Sequence, residues 1–148
     1  MADLPDDATI HRNDQEIVRI WKIPDEESLS GAYYEVEFYF YENDVRFEDP
    51  EHAELYADVY WVADMFNEKE TGERGIPPRV ARRGQEAIVA YCIARSPSTS
   101  VEWAAAEFDV SEDTVRTYLS RVRRQAEVQR EAYAEEDSVH NATGDLTE

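Results

Sequence analysis

Arg116, Arg121, Arg123 and Arg124 crowd into the segment RTYLSRVRR, directly after Ser111-Glu112-Asp113-Thr114-Val115. A guanidinium is a planar fork of N–H donors that pairs best with planar acceptors or phosphates. Ser111 can cap a helix there, and Glu112 and Asp113 fall in its first turn, where the helix dipole favours acids. Val115, Leu119 and Val122 recur at i, i+4 and i+7 and give that helix one buried edge, with the arginines outside it. The same spacing also suits a solvated helix face. Other chemistry finds little footing. His11, His52 and His140 are far apart, and no HExxH, CxxC, Walker or GxSxG pattern is present. His52 beside Glu48, Asp49 and Glu51 reads as the acidic start of a helix. Cys92 falls in an apolar stripe and reads as core. No catalytic residue, metal site or cofactor is expected, and the chain is not read as an enzyme.

The elements that position this segment follow the chain. Residues 1–14 are polar and are read as a flexible N-terminus. Glu16 to Ile23 is rich in β-branched and aromatic residues and ends at Pro24, as a strand would. After PDEESLSG, the run AYYEVEFYFYEND alternates Tyr34, Val36, Phe38 and Phe40 with polar or amphipathic residues, the period of a half-buried strand. The two predict an antiparallel hairpin. Asp49 and Pro50 then supply a helix cap and first position, and Leu55, Val59, Val62 and Phe66 a stripe to cover the hairpin. The expected organisation is a ββα unit over 15–67, a linker over 68–78 marked by Gly72, Gly75, Pro77 and Pro78, and a helical domain over 79–134. An acidic, disordered tail is expected over 135–148. A helix from Val80 to about Ser96, carrying Gly84, Ile88, Tyr91 and Cys92, should stop at Pro97. Thr99-Ser100-Val101-Glu102 reads as a capping box with Thr99 at the cap. The fold class is α+β.

EWAAAEFDVSEDTVRTYLSRVRR resembles the helix-turn-helix of bacterial sigma-factor region 4 and of response-regulator output domains. Ala105, Phe108, Val110, Ser111, Thr114, Val115, Leu119 and Val122 match those families' pattern. Asp109 stands where glycine is usual, at a turn position that tends to need positive φ, which Asp tolerates better than most residues. The resemblance covers roughly residues 79–125 and implies a tri-helical domain with an extended last helix. It also implies that this helix enters the major groove of double-stranded DNA. Glu112, Asp113, Arg116, Thr117, Ser120 and Arg121 would then face the bases. The arginines would fork onto guanine O6 and N7, an acid would accept from cytosine N4, and Thr117 would touch a thymine methyl. Arg123, Arg124, Thr99 and Ser100 would contact phosphates.

The formal net charge of -19 argues against a polyanion as partner, but it is unevenly spread. Residues 1–78 sum to -15, residues 79–130 to +2 and residues 131–148 to -6. Only two of the 15 basic residues are lysine. Such acid-rich, lysine-poor chemistry resembles that of proteins from salt-loving archaea, where concentrated KCl screens self-repulsion. Counterion release contributes little in multimolar salt, so a DNA reader there must rely on base contacts and a few well-placed arginines.

No apolar run is long enough to span a membrane, the first residues lack a signal-peptide pattern, and one cysteine suits a reducing compartment, so a cytoplasmic location is expected. The expected function is sequence-specific DNA binding in transcription regulation, in a halophilic archaeon or its virus or plasmid. The alternative is a protein-interaction or assembly module on the same fold. The two differ in whether Arg116, Arg121, Arg123 and Arg124 share one exposed face free of carboxylate partners; neutralisation by Glu112, Asp113 and Glu127 would take away the DNA reading's main support. Val115, Leu119, Val122, Ala126, Gln129 and Tyr133 follow a 4-3-4-3-4 spacing that suits either a homodimer or packing within one chain. The aromatic hairpin, with Trp21, Tyr33, Tyr39 and Tyr41, is a candidate surface for a protein partner.

Overall fold

Two strands pair where alternation demanded them. In a computed structural model of the protein, β2 (Val18–Pro24) and β3 (Ala32–Phe38) run antiparallel, with Val18 opposite Phe38 and Ile20 opposite Val36. The structure describes residues 4–28, 30–41, 45–68, 75–96 and 99–147, with side chains as far as 136. Ala32, Tyr34, Val36 and Phe38 turn into the core. Phe40, expected on that face, lies beyond the strand and is exposed.

The hairpin is the centre of a larger sheet. β1 (Thr9–Asp14) pairs with β2 and β4 (Arg46–Phe47) with β3, giving the order β1-β2-β3-β4, all antiparallel. The flexible N-terminus expected over 1–14 is therefore corrected from Thr9 onward. β1 was hidden because its turn lacks the usual glycine or asparagine. Gln15 and Glu16 both take positive φ, and Ile17 N–H closes onto the Asp14 carbonyl at 3.0 Å. The Asn13 side chain supports the turn by accepting from Glu16 N–H at 3.0 Å.

α1 (Pro50–Val62) starts as expected, with Asp49 accepting from Glu51 N–H and Pro50 in the first turn. Its environment is different. Nine of its residues from Ala53 to Val62 are buried, because it has neighbours on both sides. On the sheet side Phe38 stacks on Tyr60, with ring centroids 3.7 Å apart, and on Tyr56 at 5.6 Å. On the other, Tyr56 and Tyr91 both donate to Glu68, at 2.8 and 2.7 Å, and Trp61 meets Tyr133 edge to face at 5.8 Å. Positive φ at Asp64 and Met65 ends the helix, and Met65 N–H returns to the Tyr60 carbonyl.

The helix expected from Val80 to Ser96 is two. α2 (Pro78–Arg82) and α3 (Gln85–Arg95) are separated at Gly84, whose φ of 99° no continuing helix allows. Pro97 and residues 69–74, most of the expected linker, lie outside the described residues. Arg83 donates to the Val62 carbonyl at 2.6 Å and Arg79 to that of Asp64 at 2.7 Å, tying α2 to the end of α1. One hydrophobic cluster runs from Ile20 and Val36 through α1 to Val89, Val115 and Val122. The ββα unit and the helical domain thus share a core.

α4 (Val101–Glu107) and α5 (Glu112–Thr147) complete the fold. At 36 residues α5 is about 54 Å long. Its backbone is helical to Thr147. Asp14 and Asp58 are buried and bind two arginines from different parts of the chain. Arg12 reaches Asp14 at 2.7 Å and Asp58 at 2.6 Å, and Arg130 reaches Asp58 at 2.8 Å. Trp61 Nε1 also donates to Asp14, at 3.1 Å. This cluster joins β1, α1 and α5.

Candidate nucleic-acid interface

The start of α4 corrects one capping assignment. Ser100, not Thr99, is the cap, and its Oγ accepts from Trp103 N–H at 3.1 Å. Thr99 points the other way, its Oγ1 lying 2.7 to 3.2 Å from the Ser96, Cys92 and Ile93 carbonyls at the end of α3. Both hydroxyls, expected at phosphates, are bonded at helix ends.

The turn is built as the residue pattern required. Asp109 has a φ of 53°, the positive value expected at this turn position. Val110 N–H bonds back to the Ala105 carbonyl at 3.0 Å and Phe108 N–H to that of Ala104 at 3.0 Å, closing α4. The small residue at the deepest contact is Ala104, fully buried, while Ala105 is half-buried beside it. Ser111 caps α5, accepting from Thr114 N–H at 3.1 Å, and its hydroxyl lies 2.9 Å from that of Thr114.

Val115, Val122 and Ala126 are buried, with Tyr118 and Leu119 packed half-buried beside them. That edge fixes the rotation of α5 and turns the remaining residues outward. Glu112, Asp113, Arg116, Thr117, Ser120 and Arg121 are all exposed. Five of these six, all but Glu112, line one shallow depression of about 430 Å³, with Arg124 as its sixth wall. Tyr133, at the end of the 4-3-4-3-4 spacing, packs on Trp61 of its own chain.

The charges on this face are partly matched. Arg116 bonds Asp113 at 3.1 Å and Glu112 at 3.4 Å, both within its own helix. Arg121 bonds Glu86 of α3 at 2.7 Å. Thr117 donates to the Asp113 carbonyl at 3.0 Å. Arg123 and Arg124 are exposed and have no carboxylate partner among the described residues. Glu86 is the member of the site that sequence reasoning missed. It lies 35 positions from Arg121, and no local spacing signals that pair.

Among the described residues no three His, Cys, Asp or Glu side chains gather as metal ligands. No helix among them is long and apolar enough to cross a membrane. Comparison with protein-family models, with curated proteins and with solved structures finds no match to this chain.

Proposed function

We propose that this chain is a sequence-specific reader of double-stranded DNA acting in transcription regulation, in the high-salt cytoplasm of a halophilic archaeon or in one of its viruses or plasmids. The observation that carries the reading is the outward face of α5. A capped helix and a tight turn hold Asp113, Arg116, Thr117, Ser120 and Arg121 around one open depression. An α-helix fits the major groove, and these side chain types are those that read base edges there.

The ion pairs of Arg116 and Arg121 do not close this face. Arg116 is 58% exposed and Arg121 64%. Exposed pairs of this kind contribute about 0–1 kcal/mol, and less in concentrated salt. A bidentate arginine–guanine contact discriminates by about 1–3 kcal/mol. Exchanging one for the other is therefore favourable at a matching site. Arg123 and Arg124, without a carboxylate partner among the described residues, add two positive charges for phosphates.

A second reading has its own support. The pairing of both central arginines is the arrangement that weighs against DNA reading, and it suits a protein-interaction module in which α5 meets a complementary charged surface. Selection of duplexes from a random DNA pool in multimolar KCl separates the two, with Arg116→Ala/Arg121→Ala in parallel. An enriched motif that the double variant loses supports base reading, and palindromy in it supports a dimer. No enrichment by folded protein refutes DNA reading and leaves the interaction module.

A further inference from the structure

A second cavity, of about 560 Å³, lies between α1 and α5 next to the depression. Its walls carry opposite charge. Glu51 and Glu54 line the α1 side, and Arg123 and Arg124 the α5 side with Ser120 and Glu127. Its inner end is Asp58 with Arg12 and Arg130, already bonded to one another and much less exposed. The spare chemistry is therefore on the walls. Among the described residues no salt bridge crosses from Glu51 or Glu54 to Arg123 or Arg124, and Glu54 has only the 3.4 Å contact to His11.

We propose that this cleft binds a small zwitterion of the α-amino-acid class, its ammonium on Glu51 and Glu54 and its carboxylate on Arg123 and Arg124. The volume is within the range of about 300–1,000 Å³ typical of small-molecule sites. Every lining residue except Ser120 is charged, which excludes an apolar ligand. A simple anion would satisfy the arginines but face two carboxylates, and a simple cation would meet the reverse. Only a ligand with both charges on a short frame pairs both walls. The bonded inner end ties α1 to α5 beneath the walls.

Ser120 and Arg124 border both this cleft and the depression. On the DNA reading, a carboxylate held by Arg124 would compete with a phosphate, and the ligand would weaken DNA binding. The ligand site itself does not rest on that reading.

The test is calorimetric titration of the full chain, in the KCl concentration at which it is folded, with the standard free amino acids. Saturable binding of at least one is expected. Its N-acetyl derivative, lacking the ammonium, and its amide, lacking the carboxylate, should each bind about tenfold or more weakly, since each loses charge-assisted hydrogen bonds. Glu51→Gln/Glu54→Gln and Arg123→Gln/Arg124→Gln should each weaken binding to a similar degree, with thermal unfolding followed to confirm the fold. No saturable binding by any amino acid, or wild-type affinity in either variant, overturns the proposal. Failure of DNA selection leaves this titration untouched, so the two readings fail separately.

Discussion

Replacing Asp58 by alanine should cost about 3 kcal/mol of stability, and the loss should persist in concentrated salt. Asp58 Oδ1 accepts from Arg12 Nη2 at 2.6 Å and Arg130 Nη1 at 2.8 Å. Asp14 accepts from Arg12 Nε at 2.9 Å and Nη2 at 2.7 Å, and from Trp61 Nε1. Two carboxylates and two guanidiniums sum to zero charge. Without Asp58, both guanidiniums are left to Asp14, from which Arg130 Nε is already 3.8 Å away. Removing one member of a buried pair typically costs about 3–5 kcal/mol. Both arginines keep 22% side-chain exposure and can turn partly to water, so the lower end applies. For a chain of this size, 3 kcal/mol corresponds to a Tm lowered by about 6–12 °C. Asp58→Asn, which keeps an acceptor for the guanidiniums, should cost about half as much. The assay is urea unfolding at two KCl concentrations. Multimolar salt screens exposed charges over a few ångströms but reaches a buried pair far less. A loss below about 1 kcal/mol, or one that disappears as KCl rises, would refute the view that this cluster is internal and ties β1, α1 and α5 together.

Three further outcomes are expected. Arg12 is held charged: burial opposes this, but its bonds and attraction to Asp14 and Asp58 outweigh burial and raise its pKa. The pH response therefore belongs to Asp58, whose pKa burial raises above the ordinary carboxylate value against the pull of Arg12 and Arg130. A raised native pKa means the folded state binds the proton more tightly, so Asp58's contribution to stability falls as pH rises through that window. The stability difference between the wild type and Asp58→Asn should decline with rising acid pH and then level off; a difference that grows would show the arginines dominating. Asp109→Gly, at a φ of 53°, should stabilise the chain by up to about 1 kcal/mol, whereas Asp109→Val should cost about 1–2 kcal/mol, read as opposite shifts in Tm. The Tyr60 hydroxyl is buried and finds no partner among the described residues, so Tyr60→Phe should raise stability by about 1 kcal/mol in the same urea assay; a loss would indicate a bonded water.

What was legible in the sequence followed from local physics. The alternation of Tyr34, Val36 and Phe38, the Asp49–Pro50 helix start and the Ser111 cap each depend on neighbours within a few positions, and each is found in place. The positive φ of Asp109 was legible from the resemblance, which places it where glycine is usual. What escaped depends on distance along the chain or on competing local signals. β1 contains the polar Thr9, His11, Arg12, Asn13 and Asp14 and has a turn without glycine, so only its pairing with β2 makes it a strand. Gly84 falls in register with an apolar stripe, and periodicity alone reads through it. Thr99 and Ser100 are adjacent potential caps, and the choice between them is made by the α3 carbonyls that Thr99 reaches. α1 reads as one-faced because its further neighbours, α3 and α5, begin 23 and 50 residues after α1 ends.

The pairs on α5 bear on how a chain of net charge -19 would approach DNA under the proposed function. Neutralised arginines give little long-range attraction to any duplex, so non-specific binding would be weak. Near a base pair the balance changes. Arg116 can leave Glu112 and Asp113, and Arg121 can leave Glu86, each for about 1 kcal/mol or less. A correct guanine returns more than that, and a wrong base does not. An unmatched site also leaves the released acids facing phosphates, which adds a penalty to the wrong sequence. Self-pairing thus removes affinity common to all sequences while keeping most of the affinity that distinguishes them. In concentrated KCl the common part is already suppressed, and the difference between right and wrong bases is what remains for selection to use.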